Sequence, residues 1–481
     1  MSASPPMTNY RWSICALLFF ATTINYLDRQ VLSLTWTDFI VPEFHWRNSD
    51  YGNITAVFSI VYAGSMLFAG RLVDWLDTKR GFLWAIGVWS VGACIHAYCG
   101  IATAGILTGN WLVGFGEAKE LIGTVGDISR VVSVSVTLFI FARIVLAIGE
   151  AGNFPAAIKA TAEYFPKKDR GFATSIFNAG ATVGALAAPV TIPFIAAAYG
   201  WEASFIIIGA LGFVWMGFWI FMYKKPHLHS RVSSAELAYI QQDDVMVKVE
   251  QSDPLVTPRK MSFIQAFGYR QTWAFAAGKF MTDGVWWFFL FWTPAYLSSV
   301  YNLDSTESAL YIFVLYALTL LSIIGGWLPT YFVEKKGMNP YAGRMKAMLI
   351  FAFFPLLTLL AQPLGSISVW VPVIIIGIAG AAHQSWSANI FSTIGDMFPK
   401  SSVATITGIG GMAGGVSSFL INKGSGVLFD YAADTNMKFM GFEGIESGYF
   451  IIFSICAVAY LIGWLIMKSL VPTYSPITDI E

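Results

Sequence analysis

Charged side chains inside an apolar stretch are the residues of this sequence best suited to chemistry. Arg143 and Glu150 lie in an apolar run from about 134 to 164, which is long enough to cross a bilayer. Charges are costly at that depth, so such residues mark either an ion pathway or a buried structural ion pair. They lie about two helical turns apart, on one helix face. The pattern favours a polar route for an anion and a proton.

Asp28 and Arg29 are a second charged pair, in the first apolar stretch. They lie roughly 26 Å from the start of that stretch if it is helical, and Glu150 reaches a similar height. We therefore expect these residues and Arg143 to share one cavity, in which two cations and two anions cancel. Arg offers a carboxylate two parallel hydrogen bonds, so Arg29 is the candidate anchor for an anionic substrate, and Arg143 is a second candidate for substrate binding.

Further polar residues could contact the hydroxyl groups of such a substrate, although hydrogen bonds between helices are the alternative use for them. An aromatic run from 286 to 292 could support the apolar face of a sugar ring, but most of its rings must face lipid or other helices. Lys279 and Asp283, one turn apart, are expected to neutralise each other. The candidate contacts are Asn25, Tyr26, Asn178, His383, Gln384, Asn389 and Trp292.

The elements that hold these residues must be membrane helices. Of 481 residues, 56% are hydrophobic and only 12% are charged, far below the charged share of soluble domains. The net charge is zero, which gives no indication of a nucleic-acid partner. Cys94, His96 and Cys99 fit no standard metal spacing. We expect no metal, no cofactor and no enzymatic constellation, and filter rings typical of channels are also absent from the sequence.

Hydropathy predicts twelve spans. A polar stretch divides them into a first bundle (1–224), a linker (225–270) and a second bundle (271–481). Most of the 29 lysines and arginines fall on one side if both termini are cytoplasmic, which predicts that orientation. The expected spans are 11–35, 53–74, 80–104, 134–164, 171–198, 201–223, 272–298, 307–333, 344–362, 368–397, 403–429 and 448–469.

The two bundles repeat each other. GRLVDWLDTKRG (70–81) follows the second span and GWLPTYFVEKKG (326–337) follows the eighth, while EYFPK (163–167) matches DMFPK (396–400). The latter match also aligns Glu150 with His383. Such duplication is typical of secondary transporters, whose halves rock about a central site. The first bundle has an extra segment near 105–132, which could be a lid or a tolerated loop.

The loop GRLVDWLDTKRG resembles the signature of the major facilitator superfamily between its second and third spans. In that family the aspartate and the basic residues of this loop help to latch the cytoplasmic gate. The resemblance implies this role for Gly70, Asp74, Lys79 and Arg80. Asp77 and Thr78 replace the usual arginine and glycine, so the latch is expected to differ in detail.

Four segments resemble the anion:cation symporters of that superfamily, most closely the bacterial hexuronate transporters. They are NYLDRQ (25–30), RIVLAIGEAGNFPA (143–156), WWFFLFWTPAYL (286–297) and AHQSWSANIF (382–391). The resemblance covers nearly the whole chain except 105–132. It implies an all-α integral membrane fold with twelve helices in two pseudo-symmetric bundles. In related galactonate transporters the acids at the places of Asp28 and Glu150 couple protons, and we expect Arg143 to pair with Asp28.

The resulting hypothesis is a proton-coupled importer of glucuronate or galacturonate that works by alternating access. Its expected partners are the organic anion, protons and the lipid of an inner membrane, and it is expected to act as a monomer. One proton only cancels the charge of a monoanion, whereas two make uptake respond favourably to an inside-negative potential. An aldonate, an aldarate, sialic acid or exchange of a sugar phosphate are the alternatives within the same fold.

Overall fold

The computed structural model describes residues 7–242, 261–399 and 402–477. Residues 243–260 of the expected linker and the last residues of the second bundle lie outside these ranges. Among the described residues, eight helical segments are long and apolar enough to cross a membrane. One of them, Asn48–Thr108, bends at Asp77 and holds two spans. Three further long helices, which carry more polar residues, complete a fold of twelve membrane helices in two bundles.

The first six spans are Arg11–Thr35, the two arms of Asn48–Thr108, Ile128–Tyr164, Lys167–Tyr199 and Trp201–Met222. The last six are Arg270–Tyr301, Ser305–Lys336, Pro340–Gly365, Trp370–Met397, Val403–Asp434 and Ile445–Leu470. These helices coincide with the expected spans apart from a few residues at their ends. Shorter elements are a π-helical turn (Trp36–Ile40), the helices Val41–Phe44, Phe115–Gly123, Ser234–Ile240 and Phe263–Ala266, and a hairpin of strands Lys438–Phe439 and Phe442–Glu443.

The fourth span breaks directly after Glu150. It consists of the helices Ile128–Glu150 and Asn153–Tyr164, joined by a turn. Pro155 lies in the first turn of the second helix, where its missing N–H costs no hydrogen bond. A Cβ at Gly149 would collide with the backbone of Trp89 in the third span, so glycine permits the close approach of the two spans. The sequence around Glu150 therefore creates a local break in the helix at mid-membrane.

The first and the last described residues lie at one end of the molecule, which we call the terminal face. There the backbone N–H groups of Tyr10 and Arg11 donate to Glu236 in helix Ser234–Ile240, at 2.9 and 3.0 Å. Near the other terminus, the N–H of Ile477 donates to the carbonyl of Met397. Burial alone would raise the pKa of Glu236, but these hydrogen bonds, with that from Thr8, lower it. The linker helix is thereby fixed to the first bundle.

At the opposite end, the distal face, polar contacts join the two bundles. The carboxylate of Asp430 accepts hydrogen bonds from the backbone N–H groups of Asn48 (3.0 Å) and Ser49 (2.8 Å). Asp38, beyond the first span, accepts a hydrogen bond from the N–H of Ser305 at 2.5 Å. These contacts join the two bundles at the distal face.

The segment near 105–132 is an ordered cap on the first bundle. Its helix Phe115–Gly123 packs on Asn48–Thr108 and on Val41–Phe44, with Ala118 and Ile122 buried. The short helix Val41–Phe44 carries Glu43, which is 5% exposed and accepts a hydrogen bond from Trp201 Nε1 at 2.9 Å. This packing resembles a fixed cover over the end of the first bundle. The two roles considered for the segment, a lid or a tolerated loop, both remain predictions.

Candidate functional site

Arg29 and Glu150 form a buried ion pair between the first and fourth spans. Arg29 Nη2 and Nε lie 2.6 and 2.9 Å from Glu150 Oε2, and the two residues are 3% and 1% exposed. Arg29 comes from the first span, and Glu150 ends the first helix of the fourth span. Because both charges are removed from solvent, separating them without a replacement partner is costly.

Four aromatic rings surround the guanidinium of Arg29. The distances from Arg29 Cζ to the ring centroids are 5.1 Å for Tyr26, 5.7 Å for Phe58, 4.7 Å for Tyr62 and 5.0 Å for Trp287. Cations are attracted to the faces of such rings within about 6 Å. Trp287 belongs to the seventh span, so the second bundle touches the ion pair of the first through this ring.

Arg143 and Asp28 do not form the expected ion pair. Within the described ranges, both carboxylate oxygens of Asp28, and Nε and Nη1 of Arg143, are buried without a hydrogen-bond partner. Successive helix residues point about 100° apart, so Asp28 cannot share the face on which Arg29 meets Glu150. The Arg143 guanidinium instead lies 5.4 Å from the ring centroid of Phe58. The expectation of an Asp28–Arg143 pair was therefore wrong for this state.

Other unpaired polar atoms lie close to these charges in the sequence. In the part of the chain that the structure describes, Nδ2 of Asn25, both amide atoms of Asn153 and Oε1 of Glu150 are buried without a partner. Buried polar groups normally have partners, so such a set marks a place where a polar ligand or water can bind. Sequence reasoning missed Asn153. Its position three residues after Glu150, in the same motif, was the available signal.

The candidates in the second bundle mostly contact other protein groups. His383 Nδ1 lies 2.7 Å from the hydroxyl of Tyr460, and its ring stacks on Trp286 at 5.3 Å. The amide of Asn389 donates to the carbonyl of Gly325 at 2.9 Å. Trp292 is fully buried, and its Nε1 donates to Asn422 Oδ1 at 2.9 Å. Two of the remaining candidates are more accessible, because Gln384 is partly exposed and Asn178 is exposed.

The signature loop lies at the terminal face and contacts its own bundle. Asp74 pairs with Lys159 at 3.0 Å, and Lys79 Nζ donates to the carbonyl of Ile220 at 2.7 Å. Thr78 donates to Glu163 at 2.6 Å. Gly70 and Arg80 lie on the helices that flank the bend. These contacts brace the loop on the ends of the fourth and sixth spans, and a role in gating remains a prediction.

Comparison with known proteins agrees with this architecture. The model of the Major Facilitator Superfamily matches residues 18–421. The chain is 29% identical to the hexuronate transporter of Escherichia coli (strain K12), over 95% of this chain and 93% of that protein. It is 27% identical to the galacturonate transporter of Dickeya chrysanthemi, over 69% of this chain and 86% of that protein.

A solved structure is similar over nearly the whole length. It is a bacterial homolog of the human lysosomal transporter Spinster in an inward-facing, unoccupied conformation. The TM-score is 0.70 at 17% identity, and the alignment covers 97% of this chain and 99% of that one. At this identity the likeness concerns the fold. The twelve helices, the duplicated loops and the match of the family model together show that the chain belongs to the Major Facilitator Superfamily.

Proposed function

We propose that this transporter imports hexuronates, glucuronate or galacturonate, together with protons. The observation that carries the proposal is the buried Arg29–Glu150 pair, with Oε2 and Nη2 2.6 Å apart. A guanidinium held by a carboxylate can exchange that carboxylate for one on a ligand, because both present the same two oxygens. The hexuronate transporter of Escherichia coli, at 29% identity, supports the choice of substrate.

In the proposed cycle, a proton from the distal side binds Glu150 and removes its negative charge. Arg29 is then free to bind the substrate carboxylate, which leaves when another anion, Glu150 or a second substrate molecule, takes its place. After the protein opens at the terminal face, Glu150 loses its proton there, pairs again with Arg29 and displaces the substrate. Arg143 and Asp28, the unpaired charges, are the proposed second cation and second proton carrier. Asn25 and Tyr26 are the proposed contacts to the substrate hydroxyl groups.

The proposal includes an orientation and a location. Both termini, and hence the terminal face, lie in the cytoplasm, and the single chain acts as a monomer in the inner membrane. The signature loop with Asp74, Lys79 and Arg80 then lies at the cytoplasmic gate, and the Asp430 contacts close the extracytoplasmic gate. An anion that enters against an inside-negative potential costs about 2.3 kcal/mol per 100 mV, so import needs the coupled protons of the proposed cycle.

Purified protein in liposomes tests this function. An outside-acid pH step should drive accumulation of labelled glucuronate or galacturonate. Competition by unlabelled aldonates, aldarates, sialic acid and sugar phosphates then ranks these compounds by their affinity for the protein. Collapse of the pH gradient by a protonophore should stop accumulation while leaving exchange intact. Accumulation that does not depend on the pH gradient would rule out proton symport. Uptake of a sugar phosphate but of no hexuronate would show that the proposed substrate class is wrong.

A further inference from the structure

A second buried ion pair lies in the seventh span. Lys279 Nζ is 2.7 Å from Asp283 Oδ2, and the two side chains are 7% and 14% exposed. The Asp283 carboxylate occupies the space next to Gly414 of the eleventh span, where any Cβ would overlap it. Lys279 Nζ lies 4.4 Å from the ring centroid of Phe391 in the tenth span. The pair therefore faces neighbouring helices inside the second bundle.

This pair lies between the Arg29 site and the terminal face. Asp283 precedes Trp287 by one helical turn, and the Trp287 ring is 5.0 Å from Arg29 Cζ. Lys279 lies one turn further towards the terminal face, about 12 Å from Trp287 along the helix axis. That separation is longer than a single sugar ring. A hexuronate bound at Arg29 therefore cannot reach Lys279 without moving towards the terminal face.

Packing alone is a weak reason for these two residues. Apolar side chains of similar volume often replace a buried ion pair with no loss of stability, or with a gain. Ionisable residues in the middle of a membrane helix are more typical of a path for ions or substrate. Asp283 is also partly accessible although it lies in mid-span, which lets the carboxylate move away from Lys279. The pair thus combines the cation of Lys279 with a carboxylate that can move aside when another anion binds.

We propose that Lys279 and Asp283 form a transient binding station for the substrate carboxylate on its way from Arg29 to the cytoplasm. This inference rests on the proposed function. The ammonium group of Lys279 provides the counter-charge that an anion needs on leaving Arg29. Asp283 stays nearby and limits the affinity, and weak binding is what allows a permeating ion to leave again. Lysine alone would trap the anion, and no charge at all would leave an apolar barrier.

The test compares binding with exchange in a charge-neutral variant. The double variant Lys279→Met/Asp283→Asn should bind glucuronate in detergent within about twofold of the wild-type affinity, because Arg29 is intact. In liposomes without any gradient, its exchange of labelled for unlabelled glucuronate should be slower by about tenfold or more. The matched control is Lys438→Met/Glu443→Gln, which removes an exposed pair of 2.6 Å in the distal hairpin and should leave both quantities unchanged.

Single variants keep the test decisive where the double variant folds poorly. Asp283→Asn exposes the Lys279 cation, so it should bind more tightly and release more slowly, whereas Lys279→Arg should retain exchange. Exchange at the wild-type rate in the double variant or in Asp283→Asn would overturn the proposal that Lys279 and Asp283 bind the substrate in transit. Loss of binding in the double variant would also overturn it, because Lys279 would then belong to the primary site. Wild-type protein that binds no sugar acid would instead overturn the proposed function itself.

Discussion

The fourth and tenth spans occupy equivalent places in the two bundles, yet they carry different groups at the matching position. Glu150 of the fourth span pairs with Arg29 at 2.6 Å. His383, which the repeat aligns with Glu150, instead meets the hydroxyl of Tyr460 at 2.7 Å and stacks on Trp286. One position holds a carboxylate against a cation, and the other holds an imidazole against a tyrosine hydroxyl and an indole ring.

The same division holds around these positions. Around Arg29 the first bundle supplies the charges and the second supplies the ring of Trp287 at 5.0 Å, whereas the Lys279–Asp283 pair of the second bundle lies nearer the terminal face. A buried charge needs a partner, so charges that must exchange partners are best placed on helices that pack together. In the proposed cycle, the ion exchange then takes place in the first bundle, and the second bundle covers it through Trp287.

Among the predicted effects, the largest is the loss of substrate affinity when the cation of Arg29 is removed. Arg29→Ala leaves Glu150 without its partner and removes the proposed anchor, so glucuronate affinity should fall by about 3 kcal/mol or more, beyond a hundredfold. Arg29→Lys keeps the charge without the planar fork and should lose less. Isothermal titration of purified protein measures both, with exposed Arg130→Ala as the control. Normal binding by Arg29→Ala would show that the anchor is elsewhere, with Arg143 as the first candidate.

Changing the two repeat-related positions should separate coupling from binding. Glu150→Gln is neutral at every pH, so it should still exchange glucuronate but lose gradient-driven accumulation. His383→Gln should slow uptake severalfold through lost contacts with Tyr460, yet still accumulate substrate against its gradient. Uptake by liposomes with and without a pH step distinguishes these outcomes. If His383→Gln also abolished accumulation, coupling would be shared between the bundles.

The twelve spans could be predicted because apolar length and repeated loops are written directly in the sequence. The central charges could be identified because any charge in an apolar span stands out. Their pairing could not, since it depends on the rotation of each helix about its axis, and that rotation decides whether Asp28 or Arg29 faces Glu150. The aromatic ring set around Arg29 was hidden for the same reason, because Phe58 and Tyr62 lie on a span that hydropathy treats as uniform.

The distal ends of the two bundles also differ in how deeply they bury an acidic side chain. In the first bundle this burial should make stability depend on pH. Burial raises the pKa of Glu43 to about 7, although the hydrogen bond from Trp201 opposes the shift. The neutral Glu43 carboxyl therefore contributes its full stability below the ordinary carboxyl pKa. That contribution is lost as the pH rises through about 7, the pKa in the folded protein. Glu43→Gln should stabilise the protein at pH 8 by ~2 kcal/mol and change little at pH 5.

Thermal unfolding at both pH values measures this effect, with exposed Glu117→Gln in the cap that packs on the helix of Glu43 as the control. A glutamine variant that unfolds like wild type at pH 8 would mean that Glu43 titrates as an exposed acid. In the second bundle the distal Glu446 instead lines an open cavity of about 390 Å³ with Gln362. The cap over the first bundle thus accounts for the difference in burial.

The smallest effect is expected at the signature loop. Asp77 has φ 66° and ψ 157°, a conformation that favours glycine, whereas Val333, the matching residue of the repeat, lies within the helical segment Ile323–Lys336. Asp77→Gly should stabilise the protein by ~1 kcal/mol through relief of strain. The lost pair with Lys225, between half-exposed side chains 3.3 Å apart, offsets little of this gain. Asp77→Ala keeps the Cβ and should give no gain in unfolding temperature, so equal gains would contradict the strain.

The exchange of partners by Arg29 is tested most directly by glucuronate affinity as a function of pH, in wild type and in Glu150→Gln. The substrate carboxylate stays ionised from pH 5 to pH 9, so a change in affinity reports on the protein. If ionised Glu150 competes for Arg29, wild-type affinity should weaken up to about tenfold per pH unit once Glu150 ionises, and the variant should bind with a much flatter profile. Equal slopes in the two proteins would show that Glu150 does not compete with the substrate, and would contradict the proposed cycle.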